Sequence, residues 1–122
     1  MLGHSFGCAI TFLYAADNKI EAMISLSGEG DLEKALKYEF SETQMKDFNE
    51  KGEVYYENWS HDGRLDLLGK QFLNDMIKYS TADAAKKINC PVLFIHGTND
   101  VVIPHIATEE MFKLVRGEKK LI

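Results

Sequence analysis

Two short stretches carry residue types whose spacing could do chemistry together. The first is "GHSFG", Gly3 to Gly7, set directly before the apolar run "CAITFLYAA"; the second is "HGTND", His96 to Asp100, at the end of the apolar run "PVLFI". G-x-S-x-G is the pattern of a serine held on a sharp strand-to-helix turn, where glycines are needed because backbone segments approach too closely for a Cβ. Ser5 is then a candidate nucleophile. The N–H of Phe6, at the start of the following helix, is aimed at the oxygen of an attacked carbonyl. A serine hydroxyl is a poor nucleophile until a histidine takes its proton, and that histidine needs a carboxylate to fix its tautomer and stabilise its charge. Asp100 supplies a carboxylate just past a strand end, where open parallel sheets place their functional residues. A chain of this length carries G-x-S-x-G by chance roughly 4 times in 100, so the motif gains its weight from the second stretch.

The elements that must position these residues follow from patterning. Residues 6–16 are apolar almost all round, which predicts a helix buried on most sides, ended by Asp17-Asn18. "IEAMISLSGEG" predicts a buried strand at about 21–27, closed by glycines, and "CPVLFIHG" a second strand with Pro91 at its start. "KKLI", 119–122, opens a third. Between the last two, Ile106, Met111, Phe112 and Val115 recur at helical spacing, with Gly117 as C-cap. Strand, helix, strand predicts an α/β protein with a mostly parallel sheet covered by helices. Residues 31–88 form a small, mostly helical insertion placed where a lid would sit. It contains a helix opened by Ser41 with Gln44 in capping-box spacing, and two runs able to pair around an Asp62-Gly63 turn.

With 122 residues the chain suits a single domain, and 45% hydrophobic with 27% charged residues is ordinary globular composition. A net charge of −5 without basic blocks argues against nucleic acid or an anionic membrane as partner. Apolar runs fall short of the roughly 20 residues that span a bilayer, and the N-terminus does not read as a secretion signal. Cys8 and Cys90 both fall on segments that read as buried, which suits reduced thiols and a cytoplasmic location.

In order and spacing, "GHSFG" before a helix, a strand ending in "SLSGEG", a lid and "CPVLFIHGTNDVVIP" resemble the α/β-hydrolase family, in its esterase and serine-aminopeptidase-like branch. "GRLDLLGKQFLNDM" is similar to the lid end of feruloyl and cinnamoyl esterases. The resemblance covers essentially the whole chain, 1–122, and implies a serine hydrolase cleaving esters, or amides in a peptidase, through an acyl-enzyme without an organic cofactor. It implies Ser5 as nucleophile, Asp100 as acid and Phe6 as an oxyanion donor. In the family the catalytic histidine follows the next strand, here "KKLI", and none of His4, His61, His96 or His105 stands there. Only Met1-Leu2 precede the first glycine, and the loop giving the second oxyanion donor is not matched either. The resemblance therefore implies a partial hydrolase fold, with full-length activity and little or none in these 122 residues, or a non-catalytic module that associates through an open sheet edge.

Each residue has a competing assignment. Ser5 could cap its helix, and Asp100 could serve an Asx-turn. Glu29 and Asp31 are rivals for the acid, because some relatives carry it after the earlier strand. His96 is expected to hydrogen-bond within its loop and His105 to flank the next helix. No pair of histidines has the i, i+4 spacing of a helical zinc motif, so no metal is expected. Tyr55, Tyr56, Trp59 and Phe72 form either an acyl or aryl pocket over Ser5 or the core of a small lid. Cys8 reads as a packing residue.

Overall fold

Short apolar strands alternating with longer crossing segments leave parallel pairing as the way to bury both sheet faces. A computed structural model describes residues 1–58 and 63–122 of the chain. β1 (Leu2–His4) leads through Ser5 into α1 (Phe6–Asp17), and β2 (Met23–Leu26) returns beside β1. α2 (Leu32–Glu39), α3 (Glu42–Lys51), the antiparallel pair β3 (Glu53–Asn58) and β4 (Arg64–Gly69), and α4 (Lys70–Lys78) then form the insertion. α5 (Thr81–Lys87), β5 (Val92–Ile95), α6 (His105–Leu114) and β6 (Lys119–Leu121) complete the order. The sheet runs β1-β2-β5-β6, every pair parallel. This is the expected α/β layering, with each strand shorter than its apolar run.

Register decides where the functional loops emerge. His4 pairs with Leu26 and Leu26 with Ile95, so the loops after β1, β2 and β5 leave the sheet at the same, C-terminal edge. The next backbone bonds continue the ladder: Ser5 N donates to Leu26 O at 3.0 Å and Ser27 N to Ile95 O at 2.8 Å.

Two apolar cores meet across α1. On the sheet side Phe12 stacks on Phe94 with ring centroids 6.0 Å apart, among Met23, Ile88, Met111 and Val115. On the lid side Ala9 joins Leu36, Phe40, Phe48, Leu73 and Met76. α3 begins with the capping box read from the sequence, Ser41 accepting from Gln44 N at 3.3 Å while Ser41 N donates to Gln44 Oε1 at 3.0 Å.

Several expectations are corrected. α1 is open on one side, with Ile10 and Tyr14 each 51% exposed, because no described element packs there. Helix α6 ends at Leu114 and its C-cap is Val115, whose N–H bonds Met111 O, so Gly117 is not its cap. The glycine is needed because a Cβ there would lie 2.9 Å from the Cys90 carbonyl oxygen. Cys90, two residues before β5, is half-buried, whereas Cys8 is buried; both are free thiols. α5, read as part of the 31–88 insertion, packs Ala84, Ala85 and Ile88 into the sheet-side core instead. Gly63, at φ +73, stands directly before β4, and β3 and β4 pair antiparallel. Trp59, His61 and Asp62 lie outside the described residues.

Candidate active site

The chain turns at Ser5 with φ 54 and ψ −131, a conformation that costs a residue with a Cβ about 1–3 kcal/mol. It persists because both sides are fixed: β1 ends in the sheet ladder, and Cys8 N bonds Ser5 O at 2.9 Å to start α1. Gly3 is required by crowding. A Cβ there would stand 2.7 Å from Cys8 Cα, Gly7 O and Thr11 Oγ1. Gly7 is not so constrained, since a Cβ would meet nothing within 4 Å, and that half of the steric argument for the motif is corrected. Although Ser5 occupies the N-cap position, its side chain makes no capping hydrogen bond, which removes the competing assignment as a helix cap. Phe6 is the first residue of α1, so its N–H has no partner within the helix.

Asp100 sits in the loop after β5 at the same sheet edge, with β2 between the two strands. Its Oδ1 accepts from Val102 N at 2.9 Å and Ile103 N at 3.0 Å, so the Asx-turn is real. The turn uses one oxygen and leaves Oδ2 toward the histidines. The Ile103 N–H first, then Val102 N–H and the positive ends of His96 and His4, hold this carboxyl below the usual carboxylate range. The smallest of these influences comes from His4, the residue before Ser5.

His96 is 4% exposed and is a brace. Its Nε2 faces the Ile103 carbonyl oxygen at 3.0 Å, and its Nδ1 lies 2.6 Å from the Thr108 hydroxyl, which in turn donates to the Gly28 carbonyl oxygen at 3.4 Å. Asp100 Oδ2 lies 3.4 Å from the same Nε2. His105 opens α6 and pairs with Glu109 at 3.2 Å, flanking the helix as expected. His4 is exposed. Of the two rival acids, Asp31 caps α2 by accepting from Glu33 N at 3.2 Å.

Glu29 points elsewhere. Between the elbow and the lid lies a cavity of about 220 Å³ walled by Phe6, Phe40, Tyr56 and Phe72, with Glu29 and Glu39 on its lining. Phe6 and Phe72 face each other at 6.1 Å between ring centroids. Of the predicted aromatic cluster, Tyr56 and Phe72 line this space, whereas Tyr55 is 63% exposed on the other face of β3. Sequence reasoning missed Phe40 and the Glu39–Tyr56 pair, whose hydroxyl donates to Glu39 Oε2 at 2.8 Å. It weighed Glu29 only as a triad acid. The available signal was a carboxylate inside "SLSGEG", an otherwise uncharged stretch at the end of a buried strand.

No family model matches the chain, and no curated protein sequence does either. Solved structures do. Est1E from Butyrivibrio proteoclasticus superimposes with a TM-score of 0.78 at 27% identity, covering 100% of this chain and 49% of that one. A second structure, of Est1E with ferulic acid bound, gives 0.79 at 29%, covering 100% and 47%. The fold is that of the α/β hydrolases. Mouse alpha/beta hydrolase domain-containing protein 10 adds the same fold at 19% identity, with a TM-score of 0.77 and 99% and 50% covered. The chain thus spans about half the length of the α/β hydrolases it matches. Among the described residues no helix is long and apolar enough to cross a membrane.

Proposed function

We propose that the chain carries the nucleophile and acid of a serine hydrolase that cleaves carboxylic esters through an acyl-enzyme. The observation that supports this most is the strained bend at Ser5, φ 54, whose hydroxyl is not used as a cap. Backbone strain at a residue that gains no capping bond is what a projected nucleophile requires. In this reading Ser5 Oγ attacks the ester carbonyl carbon, its proton passes to a histidine base, and the oxyanion accepts from the Phe6 N–H. Expulsion of the alcohol leaves the acyl group on Ser5, and water then releases the acid. Asp100, ionised across the neutral range, stabilises the imidazolium.

Among the described residues the base is the unfilled role. His96 has both nitrogens engaged and does not serve; His105, whose Nδ1 faces Glu109, opens α6 and not the segment after β6 where the family resemblance puts the base. The acyl group fits the aromatic cavity beside Phe6, and ferulic acid bound to the similar Est1E supports an aryl acyl chain.

Without a base, turnover falls by a factor on the order of 10⁶ in the subtilisin precedent. The chain alone is therefore expected to hydrolyse p-nitrophenyl butyrate barely above background. With imidazole supplied as a surrogate base, the acyl group should appear on Ser5 by peptide mass mapping and vanish in Ser5→Ala. Acyl transfer to another residue, or an undiminished signal in Ser5→Ala, overturns the nucleophile assignment.

A further inference from the structure

Glu29 is 7% exposed, yet no described donor or cation bonds its carboxylate. Its backbone is fixed around it. The Tyr38 hydroxyl donates to the Glu29 carbonyl oxygen, and Thr81 Oγ1 donates to Gly30 O at 2.7 Å while accepting from Leu32 N at 3.1 Å. The carboxylate stands in the cavity with Glu39, whose negative charge acts on it, and it acts in turn on Tyr56 across the same space. On the other flank of Glu29 a second recess carries Lys34 and Lys37, but Lys34 is bound to Glu110 at 2.7 Å and neither lysine acts on the Glu29 carboxyl. Asp66 also lines the cavity and is bridged to Arg64 at 3.2 Å.

Among the described residues no side-chain oxygen is both sealed from solvent and unpaired, so the unpaired oxygens of the otherwise buried Glu29 side chain open onto the cavity, where an arriving group can pair with them. A neutral hydroxyl would give one hydrogen bond and leave the repulsion between Glu29 and Glu39 in place. A cation relieves both, and the Phe6, Phe40, Tyr56 and Phe72 rings offer π faces that attract it further. We infer that this cavity binds an organic ammonium group, so that the acyl portion of the substrate carries a primary or substituted amine seated between Glu29 and the aromatic walls.

The inference deepens the acyl-cavity reading above and rests on it, but equilibrium binding tests it with no turnover. The probes are 2-phenylethylammonium and its neutral isostere 2-phenylethanol, titrated at pH 8 and low salt into the 122-residue chain by calorimetry or NMR. The ammonium should bind at least about 10-fold more tightly than the alcohol, and raised salt should erode the difference. In Glu29→Gln the preference should shrink to within about threefold, with alcohol binding unchanged. Glu39→Gln, which keeps Glu29 charged, should retain most of it. Equal or tighter binding of the alcohol, or undiminished preference in a folded Glu29→Gln, overturns the inference. Because Ser5 takes no part in this binding, a failed acylation experiment with intact ammonium selectivity counts against the nucleophile alone.

Discussion

At His96 the difference between a base and a brace lies in what each ring nitrogen touches. Both are engaged, and one partner, Ile103, also donates its N–H to Asp100, so the imidazole secures the loop that presents the carboxylate. Replacing His96 by Ala should leave the Ile103 carbonyl without its imidazole partner and the Thr108 hydroxyl with only the Gly28 carbonyl oxygen at 3.4 Å, and should cost about 2–4 kcal/mol in urea unfolding. His105→Ala, which breaks a partly exposed pair with Glu109, should change stability by less than about 1 kcal/mol. The sequence disclosed the loop role of His96, since a histidine before Gly97 at a strand end has little else to do. It could not disclose that Asp100 combines an Asx-turn with a place at the sheet edge from which the Ser5 bend also emerges, because that depends on the neighbouring strand.

At the scale of elements, β1 and α1 are tied by one close approach. Gly3→Ala must push its new methyl into backbone of Gly7 and Cys8, and should lower stability by about 2 kcal/mol or more, read as a fall in melting temperature. Gly7→Ala lies in α1 with open space around it, and should raise stability by about 0.5–1 kcal/mol. The motif alone treats both glycines alike, yet only coordinates separate a crowded position from an open one. Strands, helices and the capping box of α3 were legible because they are local patterns of period and capping. The end of α6 and the docking of α5 were not, since both are fixed by distant contacts: Gly117 against Cys90, and Ala85 against the sheet-side core.

For the whole molecule, the buried carboxylate at Glu29 sets a pH dependence. Burial, and then the nearby Glu39 charge, push its pKa up from 4.5 to about 7, so the native state holds this proton more tightly than the unfolded chain. Its contribution is present below about pH 4.5 and is lost as pH rises through about 7, a span worth about 3 kcal/mol. Unfolding of the unmodified chain should therefore become easier from pH 5 to pH 8 relative to Glu29→Gln. Parallel profiles for the two would refute the assignment. The sequence placed this residue near the functional edge, but its burial beside Glu39 arises only when α2, β3 and α4 close over it. α1 belongs to both interiors, with Phe12 on one side and Ala9 on the other, and its first residue follows the serine. A disturbance in the middle of the lid therefore does not stay local: carried along one rigid rod, it would alter the aim of the hydroxyl at the opposite end.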